Sequence, residues 1–409
     1  RGGTRGIRVY RNQILMKVAK FGGTSMADAN SFQRVATLIG ENPDARVIAV
    51  SAGGTSDEYK RKITDLLIDF KNGESLGISR LKAINEIERR LIELESRLKI
   101  KLNILDELLK IGRKLPNDLP SDFLLSRGEY FYAKAFSEFL SLPFVDSKEI
   151  IKFKGGVLNY GFTEFLIREK YREVGRFITG GFYGSDENGK IKTFPRGGGD
   201  ITGAILAKAL NAELYENYTD VDGVYPFSPK MIKRYAERTA KIVKPLQKIS
   251  FDTMLRLCDF SVPVVHSSAV EILKGTGIPI VVKNTFDRFK SGTFVSENCE
   301  TEDFCFAAES YEKIKTVLKN GRWDRTRAEL SMAENSGKTF ENSVFAYMPN
   351  GELTGEILRE ITRDTPLDFK TETDEGVVVA TDKSRAENVK KEIFDMFILL
   401  SRRCHKRML

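Results

Sequence analysis

Lys20-Phe21-Gly22-Gly23-Thr24-Ser25 sets one full positive charge, two glycines and two hydroxyls directly after the apolar run Ile14 to Ala19. A helical pattern follows. Glycine lets backbone N–H groups approach an anion closely, and a helix N-terminus adds a positive dipole end. The stretch matches neither GxxxxGK[ST] nor GxGxxG. Two more loops share its character: Thr179-Gly180-Gly181-Phe182-Tyr183-Gly184, and Arg196-Gly197-Gly198-Gly199-Asp200-Ile201-Thr202-Gly203, which opens a helical pattern. Each alone could be a tight turn. Three together, each at a strand end or helix start, suit a polyphosphate and the charge that develops as a phosphoryl group moves.

The acceptor can be narrowed. The chain has two histidines, His266 and His405, and neither is near these loops in sequence. A hydroxyl acceptor usually wants a general base. A carboxylate is already ionised at pH 7 and wants none. It needs cations between itself and the γ-phosphate, which Lys20, Arg196 and Mg²⁺ could supply. The chemistry indicated is acyl-phosphate formation.

These loops must be held by something. Arg46 to Ser51 reads as a strand ending in Gly53-Gly54, Phe177-Ile178-Thr179 as another, and Ile278 to Val282 as a third. Helical stretches such as Ile201 to Leu210 lie between, so the alternation predicts α/β with a largely parallel sheet. Ligands in such sheets collect at the carboxyl ends of the strands. Over residues 82–112, Ile84, Ile87, Leu91, Leu94, Leu98, Leu105 and Leu108 recur at helical spacing, broken once by Lys101. This predicts one or two amphipathic helices packed on the domain's own flank, with a coiled coil as the alternative. After about Glu297 the polar "SENCETED" reads as a linker, and β-like pieces such as Gly376 to Ala380 follow.

The 409 residues carry a net charge of +8. Residues 1–20 hold six Lys/Arg and no acid, and residues 402–407 hold four more, so the remaining body is 8 − 10 = −2. The charge therefore sits in the tails, and a nucleic-acid-binding body is not indicated. The four cysteines form no CxxC pair, and with only two histidines a His-built zinc site or a Ser-His-Asp triad is nearly excluded. The expected compartment is the cytoplasm, with no membrane span. Residues 1–14 precede the first Met, Met16, and read as an extension outside the fold, partly not of natural origin.

"KFGGTSMAD", "LLSRGEYFYAK", "ITGGFYGSDENG", "RGGGDITGAILAKALNAELYENYTDVDGVYPFSPK" and "IPIVVKNTFDRFKSGT", in this order over roughly residues 15–297, resemble the aspartate kinase family of the amino acid kinase superfamily. The resemblance implies a three-layer αβα sandwich around a mainly parallel eight-stranded sheet at 15–297, with a divergent ACT-like α+β regulatory region at 304–409. It implies transfer of the γ-phosphoryl of ATP to the β-carboxylate of L-aspartate, the first step toward lysine, threonine and methionine. ATP with Mg²⁺ would be the cofactor, the metal carried by ATP rather than by a protein site. Lysine or threonine would be the feedback effector, and the assembly a homodimer or larger.

Residue by residue, the resemblance puts Lys20 on the transferring phosphoryl group. Gly22, Gly23, Thr24 and Ser25 would cradle phosphate and substrate, with Gly180 and Gly181 beside the substrate. Glu129 would hold the aspartate amino group, Arg196 a substrate carboxylate, and Asp200 the phosphate-side groups. Thr219, Asp220, Tyr225, Pro229 and Lys230 would line the nucleotide site, with Lys283 approaching ATP. Ser51-Ala52-Gly53-Gly54 resembles the family's second loop, and His266 reads as packing rather than ligand contact.

The chain also departs from the family. Gly199 stands where a serine is usual, Pro195 where a small polar residue is, and Ser228 and Lys230 where Asp and Arg are. The charged set Lys20, Glu129, Arg196 and Asp200 is intact. Two other readings therefore stand beside aspartate kinase. One is a kinase for glutamate or acetylglutamate; the other is an impaired, amino-acid-sensing homologue.

Overall fold

The computed structural model describes residues 16–73, 78–102, 105–112, 118–195, 197–225, 244–259, 264–297 and 299, and beyond them the strands 307–312, 318–319, 322–323, 342–347, 369–373 and 376–381. Strand β1 is Lys17–Phe21, followed by a 3-10 turn at Thr24–Met26 and helix α1, Ala29–Gly40. Asp28 caps α1, its carboxylate accepting from the Ser31 N–H and hydroxyl, each at 2.8 Å. Strand β2 is Ala45–Val50. Helices α2 (Ile63–Asn72), α3 (Ile78–Leu98), α4 (Leu105–Gly112) and α5 (Ser121–Leu140) come next. Strand β3 (Phe144–Val145), α6 (Ser147–Ile150), α7 (Tyr160–Val174), β4 (Phe177–Gly180), α8 (Gly198–Ala209) and β5 (Leu214–Thr219) continue the alternation. Further on lie β6 (Lys248–Ser250), α9 (Phe251–Asp259), α10 (Ser267–Leu273), β7 (Ile280–Asn284) and β8 (Thr293–Ser296).

These eight strands form one sheet in the order β6-β8-β7-β5-β1-β2-β4-β3. The pairings of β1 with β2 and β5, β4 with β2 and β3, and β6 with β8 are all parallel. The mainly parallel eight-stranded α/β sheet is the one expected. Its central strands show why: Val18, Ala19 and Phe21, then Val47 to Val50, are buried without alternation. A parallel sheet covered on both faces wants such continuous apolar runs. Helix α8 packs on β1, β2 and β5, and α5 packs on β4.

The predicted helical segment is two helices, α3 and α4. Ile84, Ile87, Leu91, Leu94, Leu98 and Leu108 are buried in the same core as Phe32, Phe70 and Phe136. The heptad-like spacing thus serves the domain's own core, with Lys101 between the helices. The side chain of Leu105 lies outside the described residues.

By internal packing the chain divides into two compact units. One runs to Asp220 and takes in Thr276–Val281; the other holds Val221–Gly275 and the chain from Val282. Within the second, the Thr293 hydroxyl accepts from the Val224 N–H at 2.8 Å and donates to the Leu246 carbonyl at 2.5 Å. His266 caps α10, its Nδ1 accepting from the Ser268 N–H at 3.3 Å. Strands 307–312, 342–347, 376–381 and 369–373 form, in that order, a four-stranded antiparallel sheet. Strands 318–319 and 322–323 pair antiparallel with each other; the rest of 304–409, and the extension at 1–14, lie outside the described residues. Among the described residues no helix is long and apolar enough to cross a membrane.

Candidate active site

Strands β5, β1, β2 and β4 are neighbours and parallel, so their carboxyl ends share one edge of the sheet. That edge gathers the predicted loops. It carries Lys20, Gly22 and Gly23 from β1, Ser51 and Ala52 from β2, Gly180 and Gly181 from β4, and Thr219 and Asp220 from β5. Backbone bonds lock the loops together. The Gly22 N–H donates to the Tyr218 carbonyl at 3.1 Å, the Ser51 N–H to Phe21 at 3.1 Å and the Gly181 N–H to Val50 at 2.9 Å. The Gly54 N–H donates to the Gly23 carbonyl at 2.7 Å, tying the first loop to the second.

Helix α8 brings the third loop in. It starts after Gly197, which sits at φ +80°, a left-handed conformation that glycine adopts without steric cost. A Cβ on Gly181 would lie 2.8 Å from the Gly199 Cα, so two backbones pass here with no room for a side chain. Thr202 fastens the approach, its hydroxyl accepting from the Phe182 N–H at 3.0 Å and donating to the Gly198 carbonyl at 2.8 Å.

Asp200, in the first turn of α8, meets Lys20 there, with Lys20 Nζ 2.6 Å from Asp200 Oδ1 and both side chains only 11–12% exposed. Asn217, the register partner of Lys20 on β5, donates from Nδ2 to the same oxygen at 3.0 Å. Its own Oδ1 is buried with no hydrogen-bond partner. The Tyr215 hydroxyl donates to the Asp200 carbonyl at 3.2 Å. Burial and the Asp200 charge hold the Tyr215 phenol well above its usual pKa, so it stays protonated and can donate. A buried pair of this kind holds the lysine in one place, because breaking it would leave an uncompensated charge.

Glu129, on α5, is the second charged centre. Burial pushes its carboxyl up to about 7, although the Ala52 N–H and its own backbone N–H donate to it and pull the other way. Its Oε2 is buried with no hydrogen-bond partner. A near-neutral carboxylate with an open acceptor asks for a donor, and best for a cation. Ala52 follows Ser51, and Ser51 reaches the Lys20–Asp200 pair through Gly199. A Cβ on Gly199 would stand 3.0 Å from Ser51 Oγ and 3.4 Å from Lys20 Cε. The space a side chain would take at Gly199 is bordered by a hydroxyl from the next loop.

The structure thus brings Lys20, Gly22, Gly23, Thr24, Ser25, Gly180, Gly181, Asp200, Thr219 and Asp220 to one sheet edge, with Glu129 bonded to the loop after β2. Ser25 is buried and Thr24 half-buried. The Thr219 hydroxyl donates to Asp220 Oδ1 at 3.2 Å. Tyr225 and Lys283 belong to the second unit and are half-buried. Arg196, Pro229 and Lys230 lie outside the described residues, as does Ser228. Sequence reasoning missed Asn217 and Tyr215. The signal was a polar Asn217 inside the strand run of "LYENYT", buried at a position where a central strand ordinarily places an apolar residue. Among the described residues no three His, Cys, Asp or Glu side chains are grouped to hold a metal.

Comparison with known proteins agrees with the fold. A model described as the amino acid kinase family matches residues 16–284. Aspartokinase 3 of Bacillus subtilis (strain 168) is 28% identical over 353 residues, covering 80% of this chain and 75% of its own. The lysine-sensitive aspartokinase 3 of Escherichia coli (strain K12) is 25% identical, over 92% of this chain and 90% of its own. The crystal structure of Clostridium acetobutylicum aspartate kinase superposes with a TM-score of 0.74 at 26% identity, covering 93% of this chain and all of that one.

Proposed function

Because the chain belongs to the amino acid kinase family, we propose that it is an aspartate kinase, making 4-phospho-L-aspartate and ADP from L-aspartate and ATP. A β-carboxylate oxygen of aspartate forms a bond to the γ-phosphorus. The bond from that phosphorus to the β–γ bridging oxygen breaks, and ADP leaves with the electron pair. No proton has to move, which fits a site whose central groups are a lysine and two carboxyls rather than a histidine.

One observation carries the substrate assignment. Glu129 is a buried carboxyl with one oxygen unpartnered. An ammonium group satisfies it, and an α-amino acid supplies that ammonium together with a carboxylate to be phosphorylated. Lys20 lies between the anions, where its charge offsets the repulsion of carboxylate and γ-phosphate. Asp200 and Asn217 aim it. Loop N–H groups at Gly22, Gly23, Gly180 and Gly181 and the hydroxyls of Thr24, Ser25 and Ser51 supply the neutral donors. In this reading Arg196 forks onto a substrate carboxylate. Thr219, Asp220, Tyr225, Pro229, Lys230 and Lys283 serve the nucleotide.

ATP brings Mg²⁺ in this reading. With few protein carboxylates grouped, the ion fits on substrate phosphates, a common way of binding it, and Asp200 would orient the phosphate-side groups or the metal. Bound there, it would neutralise charge on the transferring group. The name of the E. coli relative supports lysine as an effector. Residues 15–297 would form the catalytic domain and 304–409 the ACT-like regulatory region of a homodimer or larger assembly in the cytoplasm.

ADP release measured with L-aspartate, L-glutamate and N-acetyl-L-glutamate, with and without lysine or threonine, tests the assignment. The expected result is turnover with aspartate alone. Turnover with another acceptor would move the chain to a different member of the family, and amino-acid binding without turnover would make it a sensor.

A further inference from the structure

Helix α5 meets the loop after β2 at three points, around Glu129. A Cβ on Gly128 would lie 2.8 Å from the Ala52 Cβ and 3.2 Å from Ile63 Cγ2. The Ala52 N–H donates to the Glu129 carboxyl. A Cβ on Gly53 would lie 2.4 Å from both Cζ and the hydroxyl oxygen of Tyr132. Gly53 does not have a positive φ. The Tyr132 ring, rather than the backbone conformation, is therefore what leaves no room for a side chain at 53.

Tyr132 is buried, and its hydroxyl lies against the guanidinium of Arg90 on α3, which acts on it as a charge and as a donor. Arg90 is buried too, and a buried charge is held in place by the groups that compensate it. Its Nε donates to Glu86 Oε1 at 2.9 Å, and its guanidinium lies over the Tyr59 ring, 4.1 Å from the centroid. The chain from Gly53 to Ile63 closes on itself. The Ile63 N–H donates to the Gly53 carbonyl at 2.9 Å, and the Ser56 N–H to the Tyr59 carbonyl at 2.8 Å. Tyr132 grips this segment at Gly53, and Arg90 grips it at Tyr59. The neighbours of Gly53 face the site. Ala52 donates to Glu129, and the Gly54 N–H donates to the Gly23 carbonyl at 2.7 Å. A Cβ on Gly54 would lie 2.5 Å from the Gly23 carbonyl carbon, so the first two loops are in backbone contact.

We propose that Tyr132 is a positioning residue for the aspartate site: backed by Arg90, its ring seats Gly53 and so keeps the Ala52 N–H on Glu129 and the Gly54 N–H on the first phosphate loop. The inference rests on aspartate as the substrate. Tyr132 acts through the loop and touches neither substrate nor phosphate. A rigid ring fixed at its far end by a buried cation sets the loop before the substrate arrives, and such preorganisation is expressed in affinity.

Steady-state kinetics referred to folded enzyme, with calorimetric titration of L-aspartate, test this on the full chain. Gly53→Ala drives a methyl into the ring and should raise the KM for aspartate by about tenfold. Tyr132→Leu withdraws the ring and should raise it by about threefold, with kcat in both variants within about twofold of the parent. The double variant should cost no more than Gly53→Ala alone, because the methyl enters the vacated space, whereas independent effects would multiply to about thirtyfold. Tyr132→Phe keeps the ring and removes only the hydroxyl that meets Arg90. It should raise the KM by about two- to threefold, and it reads the proposal where Tyr132→Leu does not fold. Multiplying effects in the double variant, or a parental KM in Gly53→Ala or Tyr132→Phe, overturn the proposal. A parent that turns over no aspartate overturns the functional reading instead, and the Kd for aspartate then replaces KM as the readout of the loop. A parent that neither turns over nor binds aspartate overturns both.

Discussion

At Glu129, burial and binding pull in opposite directions, and Glu129→Gln separates them. Burial raises the carboxyl from 4.5 to about 7. At 1.36 kcal/mol per unit, keeping this group ionised costs the free protein ~3 kcal/mol. The sign follows from proton linkage. The folded state holds the proton more tightly than the unfolded chain, so stability falls as pH rises from about 4.5 through 7 and the full cost stands above that. Glutamine carries no charge. At pH 8 the variant should therefore be more stable than the parent, by at most ~3 kcal/mol, and the advantage should shrink toward pH 5. The same change removes the partner of the substrate ammonium, a charge-assisted bond worth roughly 1.5–3 kcal/mol. The KM for aspartate should then rise by about 10- to 150-fold. Melting curves at pH 5 and pH 8, with coupled ADP-release kinetics at pH 8, read both effects. In the parent, kcat/KM for aspartate should fall by about tenfold per pH unit below 7, and the variant should lack that limb. A variant that gains no stability at pH 8, or that keeps the parent's KM, would refute the reasoning.

Further outcomes follow from the same geometry. Lys20→Ala should lower kcat by on the order of 10²–10³, measured by ADP release, since it removes the charge between two anions. Asn217→Ala should lower kcat by roughly five- to tenfold with little change in KM, because Asp200 loses one donor worth about 1 kcal/mol. Gly199→Ala should lower kcat by roughly tenfold, since its Cβ crowds Ser51 Oγ and the stem of Lys20, and Gly199→Ser should recover part of that through its hydroxyl. Leu91→Ala, in the buried seam of α3, should cost about 2–5 kcal/mol in chemical denaturation and leave kcat unchanged.

Much of the site was legible because its parts are local. A lysine at a strand end followed by two glycines, and an aspartate opening a helix, are read from a few consecutive residues. The parallel sheet then puts such ends on one edge. Glu129 was legible only through the family resemblance, since a glutamate in a helix says nothing of its burial or of its empty acceptor. Asn217 and Tyr215 were not read, because their roles depend on register: Asn217 pairs with Lys20 only when β5 lies beside β1 in that alignment. The burial of Arg90 was equally hidden. In sequence Arg90 belongs to a charged helix face, "EIERRL", and its burial comes from α3 packing against the Tyr59 loop. Conversely, the spacing of Ile84 to Leu108 was read correctly as a flank of the domain's own core.

The central claim is that aspartate receives the phosphoryl group on its side-chain carboxylate. Trapping the product with hydroxylamine tests it directly, because an acyl phosphate yields a hydroxamate and a phosphate ester does not. The account predicts aspartyl hydroxamate formed in step with ADP, requiring both ATP and L-aspartate and falling sharply in Lys20→Ala. ADP release without hydroxamate, or hydroxamate no higher than in the aspartate-free blank, would contradict it.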